Sequence, residues 1–251
     1  MVSSEHVGTS QEELARPNDA HQAITVNQNY RIIHIDQLGD FLINSHDTMI
    51  EANLRGSLQE IADLQVFARG LVLDIGANVG GHAVAFARTA QMVCAFEPQP
   101  HSFHLLCANA AINGCTNIVP IHCALGSKEG TAAISPIDPE KEHVSQGAFI
   151  GEQGVPVQMK TLDSFKLSTV AFMKIDVEGY ELDVLQGATE TLEHDRPLLY
   201  VEIHREALIP HVTAFLEALG YEYNERIVQY TPAGVSTRGY LFWIPGRLVF
   251  V

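Results

Sequence analysis

No apolar run in this 251-residue chain reaches the roughly 18 residues that a membrane-crossing helix needs. The N-terminus also lacks the charged-then-apolar layout of a secretion signal. A soluble, cytoplasmic protein with no membrane insertion is expected. Basic residues are few: 15 Lys and Arg stand against 30 Asp and Glu, a formal net charge of −15. So acidic a chain repels a phosphate backbone, whose binding draws on several Lys or Arg contacts. The basic residues are scattered rather than gathered in a patch, which argues against nucleic acid and anionic membrane surfaces as partners. No C-x-x-C pair occurs among Cys94, Cys107, Cys115 and Cys123, so they read as reduced core thiols rather than a zinc or redox motif. No G-x-x-x-x-G-K-[ST] is present, which argues against a P-loop nucleotidase. What the chain has is 46% hydrophobic residues and only 18% charged ones, the make-up of an ordinary folded domain.

Residues 1–22 are polar, aperiodic and contain Pro17, and read as a flexible tail. Residues 23–69 form a flanking segment. A β-like stretch from Ile24 to Ile43 is broken by Gly39, and Thr48 to Glu51 has the pattern of a capping box. Behind it Ile50, Leu54, Leu58, Ile61 and Leu64 recur at three- and four-residue steps, which predicts one amphipathic helix to about Phe67.

From Leu71 the chain alternates strand, glycine turn and helix, with strands at Leu71–Ile75, Met92–Phe96, Asn117–Cys123, Val170–Ile175 and Leu198–Ile203. Helices are predicted over Gly81–Thr89, His101–Ile112, from Tyr180 to Gln186, and from Pro210 to Gly220. Gly126–Leu167, rich in Gly, Pro and polar residues, reads as a hairpin and irregular loop. Glu222–Val228 and Tyr240–Phe250 have no helix between them and should pair antiparallel. The expected architecture for residues 70–251 is α/β: a mostly parallel, Rossmann-like sheet with helices on both faces and an antiparallel C-terminal strand pair. Ligands of such sheets bind at the carboxyl ends of the strands, where the strand order reverses.

The first such turn is Asp74-Ile-Gly76-Ala-Asn78-Val-Gly80-Gly81. Gly76 permits a tight turn, Gly80 a close approach, and the helix start offers free N–H groups to an anion. Asn78 stands where a dinucleotide fingerprint needs its second glycine, so a pyrophosphate fits poorly. Glu97 ends the second strand about 20 residues after Gly76, the position from which a carboxylate grips both ribose hydroxyls. Pro98 fixes the turn behind it. A nucleoside with a small carboxylate, rather than a pyrophosphate, describes S-adenosylmethionine, whose sulfonium also suits an acidic site.

A second cluster follows the later strands. Lys174-Ile-Asp176-Val-Glu178-Gly179 places two carboxylates at a strand end, and Glu202 and His204 share one face of the next strand. If the two strands are neighbours, Asp176, Glu178 and His204 converge over the cofactor. The segments VLDIGANVGGHAVAFA, VCAFEPQPHSFHLLCANAAIN, MKIDVEGYELDVLQGA and RPLLYVEIHRE, in this order between about Gly39 and Tyr223, resemble the FkbM-type family of S-adenosylmethionine-dependent methyltransferases. The tail from about Arg226 departs from the family pattern. The resemblance implies a class I methyltransferase fold. It implies that Asp74, Gly76, Ala77, Asn78 and Gly80 form the cofactor loop with Glu97 and Pro98, and that Ala124 and Leu125 lie beside the adenine. Asp176 would face the methionine end or the acceptor. It further implies O-methylation of a sugar, glycolipid or natural-product hydroxyl.

Methyl transfer is an in-line displacement that releases a neutral thioether, so no metal is expected, and the enzyme mainly aligns the two reactants. An alcohol acceptor must lose its proton. His204 or Asp176 is the candidate base, with Glu178 and Glu202 orienting. A divalent cation held by the same acid and histidine groups is the alternative. Three rival functions are open: a nicotinamide oxidoreductase on the same scaffold, a non-catalytic nucleoside-binding protein, and a protein or nucleic-acid methyltransferase. Against the last in its nucleic-acid form stand the −15 charge and the absence of an N-P-P-Y or D-P-P-Y tetrapeptide. The Ile134–Gln153 loop and the helix at Thr48–Phe67 are expected to shape the acceptor pocket.

Overall fold

The computed structural model describes residues 24–142, 150–151, 154–230 and 236–246. The predicted tail at 1–22 lies outside them. The chain opens with an antiparallel meander of β1 (Ile24–Thr25), β2 (Tyr30–Ile35) and β3 (Gly39–Asn44). The single predicted helix is two, α1 (Ile50–Gly56) and α2 (Leu58–Gln65). Gly56 and Ser57 are poor helix formers, and the axis breaks between them. The Thr48 capping box does not form. Instead Asp47 Oδ1 accepts from the N–H groups of Met49 and Ile50, each at 3.0 Å, because the carboxylate one residue earlier is the stronger acceptor. The apolar stripe holds across the break, with Ile50, Leu54, Ile61 and Leu64 all buried.

The central sheet and its helices follow: β4 (Leu71–Ile75), α3 (Gly81–Ala87), β5 (Met92–Phe96), α4 (Pro100–Ile112) and β6 (Ile118–Ile121). A smaller sheet comes next, made of β7 (Ala124–Leu125), β8 (Gly130–Ile134), β9 (Ile150–Gly151) and β10 (Val155–Lys160) in the order β7-β10-β8-β9. The hairpin predicted in this stretch is present as the antiparallel β8–β10 pair, and β7 and β9 extend it into a sheet. Its short runs of Ala, Thr and Gly carry little hydrophobic signal, and pairing with β7 supplies the order. The main sheet resumes with β11 (Val170–Ile175), α5 (Glu181–Gln186), α6 (Thr189–His194), β12 (Leu198–Ile203), α7 (Ile209–Ala218), β13 (Glu222–Tyr230) and β14 (Ser236–Trp243).

The seven-stranded order is β13-β14-β12-β11-β4-β5-β6. The pairs from β6 to β12 are parallel, and β14 runs antiparallel to both its neighbours, as expected for the C-terminal pair. Side chains alternate across the sheet with the period of two that strands impose. Val72, Val93, Ala95, Phe172 and Tyr200 face a core shared with α3, α4 and the N-terminal segment. Leu73, Cys94, Met173, Leu199 and Val201 face the opposite core under α5 and α7.

The N-terminal segment is tied to this scaffold by Asn109 of α4, which is wholly buried. Its side chain accepts from the Leu42 N–H at 2.7 Å and donates to the carbonyls of Leu42 at 3.2 Å and Val79 at 2.8 Å. Asn109→Ala leaves those three backbone groups unpaired and should destabilise the fold by about 2–3 kcal/mol. Urea unfolding measures this directly, and a loss below about 0.5 kcal/mol would show that the β3–α4 link is not structural.

Candidate active site

The strand order reverses between β4 and β11, so the loops that follow them flank the crevice where such sheets take ligands. Gly76 sits there with φ +82°, and a Cβ at this position would stand 1.7 Å from the Asp176 carbonyl oxygen. Only glycine lets the two loops touch. The N–H groups of Gly76 and Ala77 both donate to the Phe96 carbonyl, each at 3.0 Å, which fixes the turn against the end of β5. Asn78 adopts φ +48°, a conformation that Asn tolerates better than most residues, and its side-chain oxygen is buried without a hydrogen bond. Gly80 permits a close approach of the protein itself. A Cβ there would meet Leu106 Cδ1 at 2.7 Å, so this glycine admits α4.

Glu97 is buried at the end of β5, and backbone N–H groups hold both of its oxygens: Asn78 on Oε2 and Gln99 on Oε1, each at 2.8 Å. Burial pushes its carboxyl up to about 7, with Asp74 and Asp176 adding to the rise and the two N–H donors opposing it. Pro98 lies beside it, half-buried. Ala124 and Leu125 are buried in β7, where they pair with Met159 and Lys160. Their side chains belong to the cores, so a ligand could meet only their backbone.

The second cluster assembles as its spacing suggests, because β11 and β12 are parallel neighbours. His204 Nε2 stands 2.7 Å from Asp176 Oδ1, and its Nδ1 stands 3.3 Å from Glu178 Oε2. Glu178 reaches the histidine from a left-handed backbone at φ +54°, followed by Gly179 at φ +102°. Glu202 is 4% exposed, and one of its carboxylate atoms joins Asp176 and His204 within 4.8 Å. Burial opposes charge on the imidazole, but the Asp176 hydrogen bond and charge, with Glu178 and Glu202, lift it to about 9. Asp176 moves the other way: burial is overcome by Lys174 and His204, which hold its carboxyl well below the usual range. Glu202 is pushed well up by burial and by the charges of Asp176 and Glu60. At neutral pH, then, the two candidate bases form an ion pair. The imidazolium carries no free lone pair, and Asp176 binds a proton weakly.

Lys174, Tyr200, Glu60 and His82, which sequence reasoning missed as site residues, lie beneath this pair beside the predicted Asp74. Lys174 is 1% exposed and donates to Asp176 Oδ2 at 3.0 Å. In register beside it are Asp74 on β4 and Tyr200 on β12, on the same face of the sheet. Asp74 is wholly buried with neither side-chain oxygen hydrogen-bonded, and burial raises its carboxyl against the fields of Lys174 and His82. From α2, Glu60 accepts from the Tyr200 hydroxyl at 2.7 Å and pairs with His82 Nε2 at 3.0 Å. A charge inside the apolar run VAFMKI was the available signal for Lys174.

A reversing parallel sheet with one antiparallel strand, carrying an acid at the end of β5 and a glycine turn after β4, defines the class I methyltransferase fold. The profile of the Methyltransferase FkbM domain matches residues 74–223, and the chain belongs to that family. It is similar to the hexuronic acid methyltransferase AglP of Haloferax volcanii, at 30% identity over 133 residues that cover 52% of this chain and 54% of that protein. Methyltransferase sdnD of Sordaria araneosa is 25% identical over 201 residues, 64% of this chain and 77% of that one. The chain thus spans about half the length of the Haloferax relative. Among solved structures, the FkbM methyltransferase from Methylobacillus flagellatus KT aligns at TM-score 0.52 and 17% identity, over 70% of this chain and 44% of its own. TYW2 of M. jannaschii, in complex with AdoMet, aligns at TM-score 0.51 and 16% identity, over 88% and 89%. Both likenesses are of fold.

Proposed function

We propose that this chain is an S-adenosylmethionine-dependent O-methyltransferase acting on the hydroxyl of a small-molecule or glycan acceptor. The observation that carries the reading is Glu97. Its carboxylate is held on one side by two backbone donors beside the Gly76–Asn78 turn, which leaves each oxygen a second lone pair for a ribose hydroxyl. The orphaned Asn78 oxygen next to it is a further acceptor in need of a partner. Asp74 and Asp176 supply negative charge for a sulfonium, and Ala124 and Leu125 are the backbone beside which the adenine would lie. Asp176 and His204 would orient the acceptor, and Glu178, at the rim of the pair, is the carboxylate placed to take the hydroxyl proton. The Haloferax relative, by its name a hexuronic acid methyltransferase, favours a sugar-type acceptor.

Family membership weighs against the nicotinamide alternative, as does Asn78 in place of a second glycine. Calorimetric titration of S-adenosylmethionine and, separately, NADH decides between them. Micromolar binding of the methionine cofactor and none of NADH is expected. Glu97→Ala should weaken binding by about a hundredfold, the loss of two charge-assisted hydrogen bonds. A preference for NADH, or cofactor binding indifferent to Glu97→Ala, would overturn the reading. Transfer of labelled methyl to hexuronic acids and their glycosides then tests the acceptor class.

A further inference from the structure

We propose that Asp176, Glu202 and His204 form a binding site for a divalent cation of the Mn²⁺ or Mg²⁺ type, at the carboxyl ends of β11 and β12. The three come from neighbouring parallel strands, and one ligand atom from each falls within 4.8 Å of the others. Ligands about 2.1 Å from a common octahedral ion lie about 3 Å apart when adjacent and about 4.2 Å apart when opposite, so the three groups must draw together to share one ion. Asp176 Oδ1 and His204 Nε2 stand 2.7 Å apart across a hydrogen bond, and an ion bound between them would take the place of the Nε2 proton, which binding must release.

Two features point to an ion rather than to a self-contained ion pair. Glu202 is 4% exposed yet makes no hydrogen bond among the described residues. One of its carboxylate oxygens lies within 4.8 Å of the Asp176 and His204 ligand atoms. The outer partners of the remaining ligands are also in place. Lys174 holds the second oxygen of Asp176 at 3.0 Å, and Glu178 stands 3.3 Å from His204 Nδ1. A carboxylate behind a histidine is the arrangement that turns the other ring nitrogen toward a metal. Two carboxylates and one imidazole suit Mn²⁺ better than the oxygen-seeking Mg²⁺ and leave coordination positions open. This departs from the sequence-based expectation of a metal-free site. Under the methyltransferase reading those open positions would hold and acidify the acceptor hydroxyl, but the binding itself does not depend on that reading.

The test is Mn²⁺ titration of the chelator-treated full chain, followed by electron paramagnetic resonance or calorimetry, with S-adenosylmethionine titrated into the same samples. One Mn²⁺ per chain is expected. Glu202→Gln and His204→Gln should each weaken it at least tenfold, and the outer-partner change Glu178→Gln by about 10–100-fold. Mn²⁺ should also raise the melting temperature of the unmutated chain. No such rise at about 1 mM, or affinity unchanged in Glu202→Gln and His204→Gln, overturns the proposal. Cofactor binding without Mn²⁺ binding sinks the cation site alone, whereas Mn²⁺ binding without cofactor binding sinks the methyltransferase reading alone.

Discussion

Lys174→Met should lower the stability of the fold by about 3–5 kcal/mol, the effect of removing one partner from a buried ionic cluster. Methionine matches the length and volume of the lysine stem, so no cavity enters the comparison. What changes is charge. Burial opposes the ammonium, but Asp176, Glu202, Asp74 and Glu60 surround it and hold its proton above the ordinary lysine range. Without it, Asp74 loses the Lys174 field that opposes the rise of its buried carboxyl, and Asp176 keeps only His204. For a chain of this size each kcal/mol moves the melting temperature by about 2–4 °C, so a fall of about 6–20 °C is expected. Asp74→Asn in the same background should recover part of the loss, because it removes one of the stranded charges, and the two changes should be non-additive. A loss below about 1 kcal/mol for Lys174→Met would mean that the cluster is neutralised by protonation instead, and that Lys174 does not organise it.

The alternating strands were legible because each is an apolar run, three of the five closed by a glycine or an acid, and because helical stripes separate them. Leu71–Ile75 and Val170–Ile175 match to the residue. The meeting of Asp176, Glu178 and His204 could be anticipated from strand adjacency, since residues at the ends of neighbouring parallel strands must converge. Local capping was less legible. Asp47 and Thr48 are both plausible starts, and only the backbone path selects the aspartate. Of the small sheet from Ala124 to Lys160 only the hairpin was legible, because β7 and β9 are too short to carry a signal of their own and join it through pairing. The buried charges were hidden for a related reason. Glu60 sits on the same stripe of α2 as Ile61 and Leu64, where an acid reads as a solvated edge position until Tyr200 and His82 arrive from other elements. Gly80 also has a packing reason to be glycine that the sequence did not show, since a Cβ there would meet Leu106 at 2.7 Å.

Cofactor affinity should fall with acid in a window that Glu97 sets. Its carboxyl is raised to about 7, so it is protonated at pH 5 and ionised at pH 8. Ribose hydroxyls donate to the ionised form, and a protonated carboxyl gives up acceptor capacity that the Asn78 and Gln99 N–H groups still demand. If only the ionised form binds, the apparent dissociation constant is about twofold above its limit at pH 7 and about a hundredfold above it at pH 5. Stability without cofactor runs in the opposite sense. Between the unfolded value of 4.5 and the folded value of about 7, the native state binds the extra proton, so Glu97 makes the fold less stable as pH rises through that window. The two slopes therefore have opposite signs and a common origin. Glu97→Gln should flatten both, which calorimetric titration and urea unfolding across pH 5 to 8 would read independently. An affinity that stays level from pH 8 to pH 5 in the unmutated chain would show that Glu97 does not grip the ribose as an anion, and the cofactor pose built on it would have to be abandoned.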